Sequence, residues 1–214
     1  MKAAKYRTLL VIAKEPLPGR VKTRLASSVG YDSAARLAMA SLQDTFTACD
    51  RVCDVRRVLA LDGRSGGWTP PQWRVIEQCG GGLDRRLGHA FSQVSNEGAA
   101  LLVGMDTPQL TASLLAEFDP QRYDACLGPA ADGGFWGIGF ARPELAAAII
   151  QDVPMSTPHT GSLQLQRLVE AGMSVQLLPV LTDVDTLTNA VEVAGSAPET
   201  NFAAELAQLD LQVA

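Results

Sequence analysis

Residues 8–25 read TLLVIAKEPLPGRVKTRL, and the two halves of this stretch differ in character. Residues 8–13 are rich in β-forming side chains and almost entirely apolar, which predicts a strand buried on both faces of a parallel sheet. Residues 14–25 form a segment rich in Pro, Gly, Lys and Arg directly after that strand. Because ligands of open α/β sheets bind outside the carboxyl ends of the strands, we expect a ligand site at this segment.

The basic segment 14–25 has the chemistry of a phosphate-binding loop. Proline fixes φ at about −65° and stiffens the chain, while Gly19 allows a tight turn and a close approach to a ligand. Four cations, Lys14, Arg20, Lys22 and Arg24, can donate to phosphate oxygens. The residues predicted to bind nucleotide phosphates are Lys14, Pro18, Gly19, Lys22, Thr23 and Arg24. The segment matches neither a Walker A loop nor G-x-G-x-x-G, and a solvated basic turn is the alternative interpretation.

Predicted strands and helices alternate along the rest of the chain. The predicted strands cover residues 8–13, 55–61, 73–77, 99–104, 124–127, 135–140 and 175–179. The predicted helices cover residues 32–49, 83–94, 111–117, 143–150, 162–171 and 202–209. This alternation predicts one α/β domain spanning residues 1–214, with a mainly parallel sheet flanked by helices.

Two acidic segments follow predicted strands. Asp106 stands in GMDTPQL after the most apolar strand, where a carboxylate suits Mg²⁺, although a helix cap or a turn is the alternative. Asp183 and Asp185 alternate in TDVDT, so both point to the same side of an extended segment. With Asp106 they could complete a metal site, and a polar turn is again the alternative.

The segment GPAADGGFWGIGF carries glycines, a carboxylate and two aromatic residues. Gly133 and Gly134 permit unusual backbone angles beside Asp132, and Phe135 with Trp136 could wall a pocket. A β-hairpin turn is the alternative, because Asp-Gly is a strong turn dipeptide. The residues predicted to form an acceptor pocket are Asp132, Gly133, Gly134 and Phe135.

The overall composition restricts the class of protein. With a formal net charge of −5 and a pI of 5.0, the chain lacks the basic character of a general nucleic-acid binder. No apolar run approaches the roughly 20 residues of a membrane span, so we expect neither nucleic acid nor a membrane as partner. The four cysteines lack the paired spacing of a zinc site and fit a reducing compartment, which predicts free thiols and a cytoplasmic protein. The oligomeric state is not readable from the sequence.

Together these segments resemble a bacterial glycosyltransferase-A-like family of the nucleotide-diphospho-sugar transferase superfamily, related to 2-phospho-L-lactate guanylyltransferase. The resemblance spans nearly the whole chain, and it departs from the family pattern at residues 81–86 and at Trp136, near the expected acceptor region. It rests on Lys14, Pro16, Pro18, Gly19, residues 22–25, Gly104, Asp106, Pro108, Gly128, Pro129, residues 132–134 and residues 183–186.

This resemblance implies a Rossmann-like fold of the GT-A type that binds a nucleoside triphosphate or sugar nucleotide, a small-molecule acceptor, and Mg²⁺ or Mn²⁺. It implies catalytic roles for Lys22, Arg24 and Asp106. Lys22 and Arg24 would lie on the phosphate side, while Asp106 and Asp185 would meet across the pocket as metal ligands.

Three functions are compatible with these expectations. The first is a metal-dependent nucleotidyltransferase that joins a nucleoside monophosphate unit from a triphosphate to a small phosphorylated acceptor. The second is a glycosyltransferase that uses a sugar nucleotide, and the third is a non-catalytic nucleotide-binding protein. We favour the first, because the sequence offers cations and carboxylates for positioning and charge neutralisation but no Ser/His/Asp or Cys/His set.

Overall fold

The computed structural model describes residues 2–209 and shows a sheet layered between helices. Its strands are β1 Lys2–Ala3, β2 Thr8–Lys14, β3 Val52–Cys53, β4 Arg56–Asp62, β5 Arg74–Glu77, β6 Ala100–Val103, β7 Ala125–Pro129, β8 Phe135–Phe140 and β9 Val175–Leu177. Its α-helices are α1 Thr23–Val29, α2 Tyr31–Asp50, α3 Leu83–Ser92, α4 Ala112–Leu115, α5 Ala146–Ile150, α6 Thr160–Glu170, α7 Leu187–Ser196 and α8 Asn201–Ala207. A 3₁₀ turn, Pro143–Leu145, precedes α5.

Seven strands form the main sheet, in the order β5-β4-β2-β6-β8-β7-β9. Strand β8 pairs antiparallel with β6 and β7, whereas the other neighbours in this sheet pair in parallel. The carboxyl ends of β2, β4 and β6 therefore lie at the same edge of the sheet as the amino end of β8. The predicted mainly parallel sheet flanked by helices is confirmed, and the short β1 and β3 form a separate parallel pair.

Strand β2 is buried on both faces, as its apolar sequence predicts. Leu9 and Val11 belong to an apolar cluster that includes Leu42 of α2. Leu10 faces the opposite side and belongs to a cluster with Phe91 of α3. All three β2 side chains are fully buried, which fixes the carboxyl end of β2, and the basic loop after it, at the centre of the sheet.

A third apolar cluster joins the basic loop to the late part of the chain. Leu25 of α1 packs in it with Leu37 of α2, Phe202 of α8 and Val184. All four side chains are buried, so the segment around Val184 is held beside the basic loop although the two are far apart in sequence.

Several elements differ from the sequence prediction. Helix α1 begins inside the segment that was expected to be a loop, and α7, β1 and β3 were not predicted. Helix α7 is capped by Thr186, whose hydroxyl accepts the N–H of Asn189, and it contributes buried Ala190 and Val193 to the third cluster. The four cysteines are free thiols, of which Cys49 and Cys126 are buried. None of the helices within residues 2–209 is long and apolar enough to cross a bilayer.

Candidate active site

A cavity of about 440 Å³ opens at the carboxyl edge of β2 and β6, a volume within the range of small-molecule sites. Its wall combines four cations with four carboxylates. The cations are Lys14, Arg20, Lys22 and Arg86, and the carboxylates are Asp106, Asp132, Asp183 and Asp185. The prediction that the basic loop lines a principal pocket is therefore confirmed in its position.

Lys22 lies between two of the carboxylates. Its Nζ is 2.7 Å from Asp106 Oδ1 and 3.3 Å from Asp185 Oδ1, and its side chain is only 5% exposed. Burial alone would lower the pKa of this ammonium, but the charges of Asp106 and Asp185 outweigh that effect and raise it. Lys22 is therefore a charged group at neutral pH. The nearest charged partners of the Lys22 ammonium are these two carboxylates, and its role in phosphate binding stays a prediction.

Asp183 is the third carboxylate of this cluster. Its Oδ1 is buried and has no hydrogen-bond partner among residues 2–209. Burial, reinforced by the charge of Asp106, raises the pKa of Asp183 to about 7, and the charge of Lys22 offsets only part of this. Sequence reasoning named Asp183 only as a candidate beside Asp185. A signal for it is present in the sequence: Asp183 and Asp185 flank the apolar Val184. Val184 is buried in the third apolar cluster, and this anchors both neighbouring carboxylates beside the cavity.

A backbone hydrogen bond brings the two acidic segments together. The N–H of Val184 donates to the carbonyl oxygen of Asp106 at 3.0 Å. Asp106 and Asp185 both lie on the cavity wall and both reach Lys22 Nζ, while their role as metal ligands stays a prediction. The alternative role of Asp106 as a helix cap is not supported, since Thr111 caps α4 by accepting the N–H of Leu114.

The rest of the basic loop is tied to β4 and α3. Arg20 Nη2 lies 2.9 Å from Asp62 Oδ1, and Arg86 Nη1 lies 3.8 Å from Asp62 Oδ2. Arg86 also donates to Gln78 Oε1 at 3.2 Å, while its Nε is buried with no partner in the described part of the chain. Sequence reasoning missed Arg86, because its place in the wall depends on the pairing of β4 with β5 and on the position of α3.

Three residues of the predicted phosphate-binding set lie outside the cavity wall. Pro18 and Gly19 are exposed at the tip of the loop, and the Arg24 side chain is 76% exposed, 3.6 Å from Asp185. Helix α1 buries Leu25 in the third apolar cluster, which turns the neighbouring Arg24 outward. The members of the set that border the cavity are Lys14, Lys22 and Thr23.

The loop between β7 and β8 packs directly against the start of α6. Gly133 has φ +90°, and a Cβ there would lie 2.0 Å from the carbonyl oxygen of Pro158. The N–H of Gly161 donates to Gly133 O at 2.8 Å, and Asp132 Oδ1 accepts the N–H of Gly134 at 2.8 Å. The glycines therefore permit a close approach of two backbones.

Three of the four predicted acceptor residues border the cavity, namely Asp132, Gly134 and Phe135. Gly133 lines a second cavity of about 260 Å³, Gly134 borders both cavities, and the acceptor role of these residues stays a prediction. Trp136 is 2% exposed and donates through Nε1 to Pro179 O at 2.9 Å, so its indole is mainly a core group.

The segment 81–86, where the chain departs from the family pattern, borders the cavity. Leu83 and Arg86 border the cavity beside Gln78, which follows β5. The predicted acceptor residues lie between β7 and β8, across β2 and β6 in the sheet order. The start of α3 also contacts the segment between α5 and α6, since Asp84 Oδ2 accepts the N–H of Asp152 at 3.1 Å, so the expectation that 81–86 lies near the acceptor region stays a prediction.

The donor set fits a divalent cation that arrives with phosphate ligands. Within residues 2–209, no three Asp, Glu, His or Cys side chains are grouped in a geometry that holds a metal ion. However, Mg²⁺ in nucleotide-dependent enzymes commonly takes only one or two carboxylates, with substrate phosphates and water as the other ligands. Asp106 and Asp185 reach one common point, and the buried Asp183 Oδ1 has unused acceptor capacity.

A family profile described as an uncharacterised protein conserved in bacteria (DUF2064) matches residues 32–157 of this chain. No curated protein matches the sequence. The family match covers the stretch from α2 to the segment that precedes α6, which includes Asp106 and the β7–β8 loop but neither the basic loop nor Asp183 and Asp185.

Solved structures share the fold. A candidate nucleotide-diphospho-sugar transferase from Desulfovibrio desulfuricans G20 is 26% identical, with a TM-score of 0.84 over 97% of this chain and 95% of that chain. The 2-C-methyl-D-erythritol 4-phosphate cytidylyltransferase from Thermus thermophilus is 14% identical, with a TM-score of 0.55 over 90% and 99% of the two chains. Rv0371c from Mycobacterium tuberculosis H37Rv, solved in complex with manganese, is 20% identical, with a TM-score of 0.51 over 89% and 98%. The chain thus has the nucleotide-diphospho-sugar transferase fold, and transferases of the nucleotidyl and nucleotide-sugar kind are among its structural neighbours.

Proposed function

The chain belongs to the DUF2064 family of bacterial proteins, and we propose that it is a metal-dependent nucleotidyltransferase acting as one domain. The observation that carries the proposal is the separation of charge in a single cavity. Lys14, Arg20 and Arg86 lie on the β2–β4 side, and Asp106, Asp183 and Asp185 lie on the β6 side, with Lys22 between the two groups. Such a cavity suits a triphosphate on one side and a metal-bound reaction centre on the other.

In the proposed reaction, an oxygen of the acceptor phosphate attacks the α-phosphorus of a nucleoside triphosphate. A new P–O bond forms, the bond from the α-phosphorus to the bridging oxygen breaks, and pyrophosphate leaves with the electron pair of that bond. Lys14, Arg20 and Lys22 would bind phosphate oxygens and offset the negative charge that develops on the leaving group. The reaction needs no protein nucleophile, in keeping with the residues that line the cavity.

Asp106 and Asp185 are the proposed ligands of Mg²⁺ or Mn²⁺, with Asp183 as a further candidate. When bound, the cation would polarise the phosphate oxygens and neutralise part of their charge. Manganese is present in the structure of Rv0371c, which has the same fold.

The acceptor side of the cavity suggests what the acceptor carries. The β7–β8 loop and the segment before α6 contribute Asp132, Ser156 and Thr157 to the lining, and none of the residues that residues 130–160 contribute to it is Lys, Arg or His. A carboxylate on the acceptor, next to its phosphate, would face Asp132 with no cation from these two segments beside it, which is unfavourable. We therefore extend the proposal to an acceptor whose phosphate is its only anionic group and whose remainder bears hydroxyls. A 2-phospho-lactate acceptor, suggested by the sequence resemblance, would not meet this condition.

Pyrophosphate release tests the proposal directly. The protein is incubated with each nucleoside triphosphate, Mg²⁺ or Mn²⁺, and one of two matched acceptors, glucose 1-phosphate or glucuronic acid 1-phosphate. We expect metal-dependent release that is faster with glucose 1-phosphate by about tenfold, the cost of leaving one carboxylate poorly paired. Diphosphate release from a sugar nucleotide would indicate glycosyl transfer instead, and nucleotide binding without turnover would indicate a non-catalytic protein.

Two variants distinguish a role of Asp106 in the reaction from the general effect of removing one negative charge. Asp106→Asn should lower turnover by about 100-fold or more, because it removes a metal ligand that acts at the reaction centre. Asp54→Asn is the control, since Asp54 is exposed after β3 and its positive φ suits asparagine. Equal loss in both variants, or no loss in Asp106→Asn, would contradict the assignment of Asp106.

A further inference from the structure

The Lys22 ammonium occupies the point where the two proposed metal ligands converge. Its Nζ is 2.7 Å from Asp106 and 3.3 Å from Asp185, and solvent reaches little of the side chain. Two cations cannot share that point, because their mutual repulsion and the limited number of carboxylate oxygens oppose it. The same ammonium is also one of the cations proposed to bind nucleotide phosphates.

The backbone around Lys22 shows how the residue is held there. Lys22 has φ 49° and ψ 42°, in the left-handed region that a lysine rarely adopts, and it immediately precedes α1. The buried Leu25 anchors α1 in the third apolar cluster, so the strained position is imposed by the surrounding structure. In contrast, a Cβ added to Gly19, which has φ 79°, would meet no atom of residues 2–209 within 4 Å, so the tip of the loop has open space around it.

We propose that the Lys22 ammonium is the resident counter-cation of the Asp106, Asp183 and Asp185 cluster, and that it excludes free divalent cations until a nucleotide phosphate draws it away. The inference rests on the proposed function, since it assumes that the cavity binds both a metal and a nucleotide. Phosphate oxygens and carboxylate oxygens compete for the Lys22 ammonium. When a phosphate binds Lys22, Asp106 and Asp185 lose this partner and become available to a metal ion. By thermodynamic reciprocity, nucleotide and metal then increase each other's affinity.

The test measures Mn²⁺ binding to the protein without nucleotide, by calorimetry and by the electron paramagnetic resonance signal of bound Mn²⁺. Lys22→Met, which removes the charge and keeps an unbranched apolar side chain, should bind free Mn²⁺ about 10- to 100-fold more tightly than the wild type. This range is expected if Lys22 leaves the carboxylates free to bind metal in about 1–10% of wild-type molecules. The same variant should bind nucleotide without metal more weakly, so one substitution moves the two affinities in opposite directions.

Arg24→Met is the matched control, because Arg24 also approaches Asp185 but is exposed and lies outside the cavity wall. It should change Mn²⁺ affinity less than about twofold, as expected of an exposed ion pair. If Lys22→Met does not fold, Lys22→Gln replaces it and must show the same gain.

An unchanged or reduced Mn²⁺ affinity in a folded Lys22 variant would overturn the counter-cation role. If that variant and the wild type both bind Mn²⁺ in the presence of nucleoside triphosphate, the proposed function survives this failure. If neither binds Mn²⁺ with or without nucleotide, the metal-dependent function and the counter-cation role both fail.

Discussion

Two glycine-containing loops face each other across the cavity, and their glycines serve different purposes. Gly19 in the basic loop and Gly133 in the β7–β8 loop both have positive φ values. A Cβ built on Gly19 has no neighbour within 4 Å in the described structure, whereas a Cβ on Gly133 would overlap the carbonyl of Pro158. At Gly19 only the positive φ favours glycine. At Gly133 the positive φ favours glycine, and a side chain would also clash with Pro158.

The comparison indicates which wall of the cavity can respond to a ligand. The cations of the basic loop are carried by long side chains that pair with Asp62, Asp106 and Asp185. We expect phosphate oxygens to be able to replace these carboxylates as partners. The β7–β8 loop is fixed by backbone contacts to α6, including the bond from Gly161 N to Gly133 O. We expect a responsive phosphate wall and a rigid acceptor wall.

The largest expected change in stability comes from a substitution in the β7–β8 loop. Gly133→Ala should lower the free energy of unfolding by about 3 kcal/mol or more, because strain at positive φ adds to a clash with backbone. Gly19→Ala should cost only about 1 kcal/mol, the conformational penalty alone. Urea denaturation of both variants measures the difference, and equal losses would break the distinction between the two loops.

A second expected change in stability concerns Asp183 of the acidic cluster, and it depends on pH. The pKa of Asp183 is raised to about 7 in the folded protein, against about 3.9 in the unfolded chain. Between these values the folded state binds more protons, so this group makes the protein less stable as pH rises from about 4 to 7. Asp183→Asn should therefore raise stability at pH 8 by about 2 kcal/mol, because about three pKa units at about 1.4 kcal/mol each exceed the cost of burying an amide where Oδ1 has no hydrogen-bond partner.

Thermal melts at pH 4 and pH 8 check the sign of this effect. The gain should largely vanish at pH 4, where Asp183 is protonated in the folded state and about half protonated in the unfolded chain. A stabilisation of equal size at both pH values would mean that the carboxyl group is not titrating between them.

The smallest expected effect on stability lies in the responsive wall. Arg20→Ala should change the free energy of unfolding by less than about 1 kcal/mol, because its pairs with Asp62 and Glu15 are partly exposed. Nucleotide affinity should nevertheless fall about tenfold, as one charge-assisted contact is lost. Arg64→Ala, an exposed arginine beyond β4, is the control in titrations with a nucleoside triphosphate, and equal weakening in both would remove Arg20 from the phosphate wall.

Local sequence patterns predicted the sheet and the basic loop well, because both depend on short-range properties. The apolar run of β2 and the following cations lie within one continuous segment, so their proximity is guaranteed by the chain. Helix α1 was missed because its seven residues begin with no side-chain cap, and its stability comes from packing of Leu25. Helix α7 was missed although Thr186 provides a cap, because the sequence after it has a modest apolar pattern.

The arrangement of the acidic cluster could be predicted only in part. The alternation of Asp183 and Asp185 indicated a shared side, and the family resemblance placed Asp185 near Asp106. The position of Lys22 between the carboxylates depends on three segments meeting in space, and no periodicity within any one of them encodes it. The raised pKa of Asp183 likewise reflects burial by distant residues.

The antiparallel direction of β8 determines how the loop between β7 and β8 can be exchanged. Because β7 and β8 are adjacent antiparallel strands, residues 130–134 form a hairpin turn that can be replaced without altering a crossover helix. The close approach of Gly133 to Pro158 adds a condition, since the turn fits only a matching segment before α6. In a chimeric protein, residues 130–134 and 156–161 therefore have to be exchanged together, because each segment fits only a matching partner.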